Sequence, residues 1–90
     1  MVGEVDLFLP ESHSLKEKRQ VIKSVKDRIR SRFNVSVAEV DHVDLWQRCA
    51  LGLAVVSSET FHAEEVIGNA IRLIEQDHRV EVVSQLVERW

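Results

Sequence analysis

Hydrophobic and polar residues alternate at the start of the chain, from residue 2 to residue 9. A period of two predicts a β-strand, because successive side chains of a strand point to opposite faces. Pro10 is expected to end this strand, since proline has no N–H to donate to a sheet ladder. The predicted strand would hold Val5, Leu7 and Leu9 on its buried face and Glu4, Asp6 and Phe8 on the other face.

Residues 14–33 instead repeat their apolar positions every three or four residues, which predicts an amphipathic helix. Ser14 and Glu17 have the spacing of a capping box, in which the serine hydroxyl accepts from the N–H of Glu17 and the Glu17 side chain reaches back to the cap. Asn34 is expected to stop the helix, since asparagine tolerates the left-handed conformation. The predicted core stripe of this helix is Leu15, Val21, Ile22, Val25, Ile29 and Phe33.

Two strands are predicted in the middle of the chain. Residues 35–40 alternate and are rich in β-branched side chains, and residues 41–44 are typical of a turn. Residues 49–56 are continuously apolar, which is typical of a central strand covered on both faces. Gly52 lies within this run and is expected to mark a bulge or a close approach of another chain segment.

A second helix is predicted over residues 60–76, with Ser58 or Thr60 as its N-cap. Residues 80–87 have the pattern of a last strand, and the alternation breaks at residues 82–83, where a β-bulge is expected. The predicted core face of the second helix consists of Ala63, Val66, Ile67, Ala70, Ile71 and Ile74.

The predicted order of elements is β-α-β-β-α-β in a single domain over residues 1–90. With right-handed crossovers this order predicts an α+β fold, the ferredoxin-like split βαβ sandwich, with a four-stranded antiparallel sheet and two helices on one face. The other sheet face is open and half apolar, so a homodimer contact through it is expected. Trp90 is expected to cover this face or to contact a partner.

Composition limits the class of protein. Hydrophobic residues make up 44% of the chain and charged residues 30%, which is typical of a globular domain. Cys49 is the single cysteine, so no disulfide framework is possible and a reducing compartment is expected. Residues 1–10 contain acidic residues and no basic flank, which argues against a signal peptide and a membrane span. We therefore expect a cytoplasmic protein with no membrane role.

Charge is divided unevenly along the chain. Residues 14–33 hold eight of the twelve basic residues and two of the fifteen acidic ones, a net charge of +6, whereas the remaining residues carry −9. Five cations share one face of the predicted helix, with no acid among them, and could contact phosphates of a nucleic acid. The alternative is a solvated face that pairs with acidic residues of a neighbouring element or subunit. The five predicted nucleic-acid-binding residues are Lys16, Arg19, Lys23, Lys26 and Arg30.

Two smaller candidate sites accompany this row. Ser12, His13 and Ser14 lead into the positive end of the helix and could bind an anion, although an ordinary helix cap explains the same residues. Trp46 and Arg48 are candidates for an interaction rim, because tryptophan and arginine are enriched at contact surfaces. The alternative is that Trp46 covers one end of the core.

Several kinds of chemistry lack the residues that they need. The predicted central strand over residues 49–56 has no aromatic side chains, which argues against base stacking on the sheet face. The four histidines have no metal-ligand spacing, and the chain has no serine elbow, P-loop or paired-cysteine motif. We therefore expect no enzyme, no catalytic residue, no metal and no cofactor.

Four segments resemble those of the YlxP-like family of small bacterial proteins. They are SLKEKR at residues 14–19, FNVSVAEV at 33–40, LWQR at 45–48 and VVS at 55–57. The resemblance implies a ferredoxin-like fold, a bacterial cytoplasm and no established activity or catalytic residue. Genes of the family often lie near genes for translation and ribosome maturation, which associates the family with RNA.

These features together predict a non-enzymatic RNA- or ribosome-associated binding module that uses its basic first helix. The expected partner is ribosomal or other structured RNA. Two alternatives stay open. One is a homo-oligomeric protein-interaction module, in which the basic helix meets acidic surface. The other is a small-ligand sensor with a cleft between subunits near residues 12–14.

Overall fold

The four strands form one sheet in the order β2-β3-β1-β4, and all neighbouring strands are antiparallel. The computed structural model describes residues 1–89, so the expected role of Trp90 lies outside the described residues. The strands are β1 (Val2–Phe8), β2 (Ser36–Asp41), β3 (Arg48–Ala54) and β4 (Glu81–Glu88), and the helices are α1 (Leu15–Arg32) and α2 (Thr60–Glu75). None of the helices in this part of the chain is long and apolar enough to cross a membrane.

The order of elements confirms the predicted ferredoxin-like fold. The β1–α1–β2 unit crosses over β3, and the β3–α2–β4 unit crosses over β1, which is the split βαβ arrangement. The two strands at the centre of the sheet are therefore β1 and β3, as the apolar run in β3 predicted. Only one face of β3 is covered by helices, so the expectation that both of its faces are covered is wrong.

The core lies between the sheet and the two helices. Val5, Leu7 and Leu9 are buried in it, as the alternation in β1 predicted. From β3 the core receives Cys49, Leu51 and Leu53, which are the register partners of Leu7, Val5 and Gly3. The buried residues of α2 are Ala63, Ile67, Ala70, Ile71, Leu73 and Ile74.

Helix α1 differs from its prediction at its inner face and at its end. Its buried residues are Lys18, Ile22, Val25 and Ile29, whereas Val21 and Phe33 are only partly buried. The helix ends because Phe33 adopts an extended conformation, with a φ of −132°. The expected left-handed stop at Asn34 is therefore wrong.

Helix α2 begins without a side-chain cap. Its N-cap is Glu59, which makes no capping hydrogen bond, so the expectation that Ser58 or Thr60 caps this helix is wrong. The hydroxyl of Ser57 accepts from the N–H of Glu59 at 3.1 Å, which orders the residue before the helix without supplying an acceptor to its first turn.

Two expected irregularities are present in the sheet. The register of β1 with β4 shifts so that Asp6 pairs with Ser84 and Leu7 with Val82, which leaves Val83 as the bulged residue. The side chain of Val40 lies close to Gly52, so that a Cβ atom at position 52 would be 2.9 Å from Cγ1 of Val40. Both positions were identified from the sequence.

Candidate nucleic-acid interface

The predicted basic row runs along the side of α1 that lies next to the edge strand β2. The contact of Arg30 shows this orientation: its guanidinium Nη2 donates to the backbone carbonyl of Val37 in β2 at 2.8 Å. This bond occupies an acceptor on the free edge of the sheet, where exposed backbone groups would otherwise invite pairing with another chain. Arg30 thus has a structural partner in addition to its predicted role.

Three cations of the row have no such partner. Within residues 1–89, Lys16, Arg19 and Lys26 form no ion pair and no side-chain hydrogen bond, and Lys16 and Arg19 are exposed. Lys23 differs, because its ammonium lies 2.9 Å from the carboxylate of Asp27 one turn later. The expectation that no acid lies among the five cations is therefore wrong at this position. The hydrogen bond from Lys23 lowers the pKa of Asp27 below its usual value.

Lys18 is the most deeply placed charged side chain of α1. It is fully buried, and its ammonium Nζ donates to three backbone carbonyls of the β2–β3 loop. The acceptors are His42 at 2.8 Å, Val43 at 3.3 Å and Leu45 at 2.8 Å. Since a buried ammonium must be satisfied by acceptors or by charge, this contact anchors the loop on the first turn of α1.

A carboxylate completes the surroundings of Lys18. Oε2 of Glu39 lies 2.6 Å from Nζ of Lys18, without the alignment of a hydrogen bond. Cys49 belongs to the same buried region: burial raises the pKa of its thiol to about 12, and the charge of Glu39 adds to the effect. A thiol with this pKa stays protonated near neutral pH, which makes it an unreactive core residue.

The β2–β3 loop that Lys18 anchors also contacts the loop before α1. The side chain of Gln47 donates to the carbonyls of Pro10 at 3.4 Å and Ser12 at 3.3 Å. Trp46 is 47% exposed, and its ring lies edge-on to that of His13, with centroids 6.5 Å apart. The two loops therefore form one end of the molecule, which we call the loop end (residues 10–14 and 42–47).

The two residues of the predicted interaction rim, Trp46 and Arg48, lie on different surfaces. Trp46 belongs to the loop end and is exposed, so its indole is available for contact. Arg48 instead turns to the open sheet face, where its Nη2 lies 3.2 Å from the carboxylate of Asp6. His42 approaches the same carboxylate at 3.4 Å and has a φ of 60°, the one positive φ among the described residues other than glycine.

Part of the donor set of the predicted anion site before α1 is taken up by the protein itself. The hydroxyl of Ser14 accepts from the N–H of Glu17 at 3.1 Å, and the carboxylate of Glu17 accepts from the N–H of His13 at 2.7 Å. The capping box is thus present, with Glu17 reaching one residue beyond the cap. Ser12 is buried and donates to the carbonyl of Ser14 at 3.2 Å. The Glu17 carboxylate thus takes one of the backbone donors of this loop, and its charge disfavours an anion beside it.

A cavity of about 290 Å³ lies beside this loop, where the ligand-sensor alternative would require a binding site. Its polar lining includes Glu11, Glu17 and Arg79, so the carboxylates outnumber the cations. Arg79 already forms an ion pair with Asp77, to which its Nη2 donates at 2.7 Å. The cavity therefore lacks the charge that an anionic ligand needs.

The opposite side of α1 is bound to the α2–β4 connection. Asp77 is buried and accepts from the backbone N–H and the guanidinium of Arg79, while Arg28 of α1 lies 3.5 Å away. Arg79 also donates to the hydroxyl of Ser24 at 3.1 Å. The hydrogen bonds from Arg79 lower the pKa of Asp77 to about 2. Arg28 thus supports the fold and does not extend the basic row.

The open sheet face has the opposite charge. By register, the exposed residues of this face include carboxylates from β1, β2 and β4, and Arg48 is the cation placed among them. Two identical faces packed together would oppose these carboxylates, which disfavours the expected homodimer contact. The carboxylates of this face are Glu4, Asp6, Asp41, Glu81 and Glu88.

A family model described as "Protein of unknown function (DUF503)" matches residues 1–87. The chain belongs to the DUF503 family. A relative from Bacillus subtilis (strain 168), the "Uncharacterized protein YlxP", is 35% identical over 83 residues, which cover 90% of this chain and 90% of the relative. The resemblance to the YlxP-like family is therefore confirmed. In this DUF503 chain, no group of three His, Cys, Asp or Glu side chains within residues 1–89 could hold a metal ion.

Three of the four segments that resemble the family meet around Lys18 and the adjoining loop end. SLKEKR supplies Lys18 and the capping box, FNVSVAEV supplies Glu39, and LWQR supplies Trp46 and Gln47. The sequence patterns did not predict this assembly, although they contain one signal for it. Lys18 precedes Ile22, Val25 and Ile29 by four, seven and eleven residues, which places a lysine directly on the buried stripe.

Proposed function

We propose that this DUF503 protein is a non-enzymatic module that binds structured RNA through the side of α1 next to β2. The observation that carries the proposal is the row of cations on this side, of which Lys16, Arg19 and Lys26 have no partner within residues 1–89. Cations without an internal partner release counterions when they meet phosphates, and this release drives nucleic-acid binding.

The remaining two cations of the row add less. The pair between Lys23 and Asp27 is exposed, and such pairs contribute little to stability, so Lys23 can exchange Asp27 for a phosphate. Arg30 donates from Nη2 to the carbonyl oxygen of Val37. A guanidinium has five N–H donors in all, so further N–H groups remain to bind a phosphate oxygen.

The loop end extends the same interface. Trp46 is 47% exposed at the end of the molecule where α1 begins, and an exposed indole provides a face on which a base of single-stranded RNA can stack. Lys18 fixes the loop that presents this indole, so little ordering is required when RNA binds. The proposed interface therefore combines a phosphate-binding row with one stacking residue.

The expected affinity is modest. About three to five phosphate contacts would give a slope of roughly −2 to −4 in a plot of log K against log salt. We expect binding that is weak at physiological salt, tolerant of RNA sequence and lost at higher salt, since phosphate contacts position a protein without specifying bases.

The test is fluorescence anisotropy with a labelled RNA hairpin that has a single-stranded loop, from about 50 to 200 mM salt. The double variant Arg19→Ala/Lys26→Ala removes two cations of the row, and we expect roughly tenfold weaker binding and a salt slope that is smaller by about two. The matched control, Arg72→Ala/Arg89→Ala, removes two cations from other surfaces and should leave both quantities nearly unchanged.

Two results would contradict the proposal. One is absence of binding by the unaltered chain at the lowest salt. The other is an equal loss of affinity in the test and control variants, because the net charge of the molecule would then explain the binding without the row on α1.

A further inference from the structure

The open sheet face contains an apolar trough that the proposed RNA interface does not use. It encloses about 520 Å³ and crosses all four strands. Its floor is made of the small residues Ala38, Gly52 and Ala54, and Val40 and Leu86 form walls on opposite sides. Both wall residues are more than half exposed, at 54% and 56%.

Charge restricts what can fill the trough. Glu4 and Glu88 line it directly, and Glu81 lies further along the same face of β4. A nucleic acid would be repelled by these carboxylates. A second copy bound through the same face would bring its own carboxylates into the contact, and like charges in close pairs are destabilising. The occupant must therefore be apolar along its centre and cationic at its flanks.

The backbone of the occupant must satisfy its own hydrogen bonds. The N–H and C=O groups of the four strands lie in the plane of the sheet, so the trough floor offers side chains and no ladder to pair with. A strand laid across this floor would leave backbone groups unpaired, whereas a helix pairs them internally. The sheet is about 14 Å wide from β2 to β4, which about nine residues of a helix would span.

We propose that the open sheet face is a docking surface for a basic amphipathic helix of a protein partner. The apolar side chains of that helix would lie over Ala38 and Ala54, between the walls. Its lysines and arginines would pair with Glu4 and Glu88. The partner would complete a second helical layer on the sheet, whose first layer is α1 and α2.

The test uses two synthetic helical peptides of about 18 residues, five turns of helix. Both have a stripe of alanine and leucine, flanked by lysines in the first and by glutamates in the second. We expect the lysine peptide to bind the full chain in anisotropy measurements and the glutamate peptide not to bind. The double variant Glu4→Lys/Glu88→Lys should bind the lysine peptide at least about tenfold more weakly and should gain binding of the glutamate peptide.

A matched control separates a local effect from a change of net charge. Glu65→Lys/Glu75→Lys introduces the same charges on exposed positions of α2 and should change the affinity for the lysine peptide by less than about twofold. Ala38→Trp fills the trough from an exposed position and should abolish binding. Circular dichroism of each variant confirms that the fold is retained.

Three outcomes would overturn the proposal. The first is no binding of the lysine peptide to the unaltered chain. The second is equal weakening by the two charge-reversal variants. The third is a dimer in sedimentation that Ala38→Trp dissociates, since the occupant of the trough would then be a second copy of this chain.

Discussion

The ammonium group of Lys18 connects three parts of the chain that are distant in sequence. Lys18 lies on the first turn of α1, and its ammonium contacts Glu39 in β2. The ammonium also fixes the β2–β3 loop by donating to the carbonyls of that loop. Burying a charge is costly unless it is paired and hydrogen-bonded, and here both conditions are met. The side chain thus serves as an internal cation that shapes a loop.

Replacing Lys18 with methionine should destabilise the protein strongly. The change leaves the carboxylate of Glu39 without its cation and three carbonyls without their donor, and breaking a buried ion pair on one side costs about 3–5 kcal/mol. Urea unfolding measures the loss. Lys16→Met on the exposed face of the same turn should change the free energy of unfolding by less than about 0.5 kcal/mol.

A second variant keeps this prediction informative if Lys18→Met does not fold. Lys18→Met/Glu39→Leu removes both charges, and we expect it to be more stable than Lys18→Met alone, because no buried charge is left unpaired. Equal stability of the single and double variants would contradict the prediction, because it would show that a Glu39 carboxylate without its cation does not destabilise the fold.

The carboxylate of Asp77 should make stability depend on acid pH. Its pKa is about 2 in the folded chain against an ordinary value of 3.8, so the charged form is favoured by folding. This contribution is present above the unfolded value and is lost as the pH falls from about 4 toward 2. Its size is on the order of 2 kcal/mol.

The variant Asp77→Asn should remove that contribution at neutral pH and flatten the pH dependence of the free energy of unfolding below about pH 4. The control is Asp44→Asn, an exposed aspartate of the β2–β3 loop, which should retain the acid-dependent loss. Thermal unfolding followed across this pH range distinguishes them. An unchanged acid dependence in Asp77→Asn would contradict the assignment.

At the scale of elements, the two helices differ in how they begin. Helix α1 has a side-chain cap, in which Ser14 accepts from the N–H of Glu17 and Glu17 accepts from the N–H of His13, one residue before the cap. Helix α2 begins at Glu59, which supplies no acceptor to its first turn. The first four N–H groups of a helix lack internal partners. A side-chain acceptor at the N-cap of α2 would therefore add stability, whereas α1 already has such an acceptor.

Replacing Glu59 with aspartate should therefore stabilise the protein. The shorter side chain can accept from the N–H groups of the first turn, and a good N-cap residue contributes about 0.5–1 kcal/mol. Ser14→Ala in α1 should have the opposite effect, with a loss of about 1 kcal/mol. Melting temperatures should shift by about 4–8 °C per kcal/mol in a domain of this size. A lower melting temperature for Glu59→Asp would contradict the cap assignment.

At the scale of the whole molecule, the two layers carry opposite charge. Cations lie on the side of α1 next to β2, and carboxylates lie on the open sheet face. The net charge of −3 conceals this separation. A molecule with two such surfaces can hold phosphate on one side and a basic protein segment on the other, and the two proposals follow from this arrangement.

Local patterns in the sequence were enough to predict the kinds of element and their order. Helix and strand periods depend on residues within one element, so the alternation in β1, the stripe in α2 and the bulge at Val83 could be identified locally. The capping box of α1 and the central place of β3 were identified in the same way. The predictions for the end of α1 and the start of α2 were wrong, because Phe33 and Glu59 take their conformations from the surrounding structure.

Which charged side chains are free to bind a partner depends on contacts between elements, so the local patterns could not predict it. Lys23 pairs with Asp27, and Arg30 donates to the carbonyl of Val37. The carbonyls that accept from Lys18 are 24 or more residues away along the chain, beyond any helical or strand period. The same holds for the open sheet face, whose carboxylates come from three strands that the sequence separates. A period identifies which side chains share a face of one element, but the charge of a surface depends on which elements become neighbours.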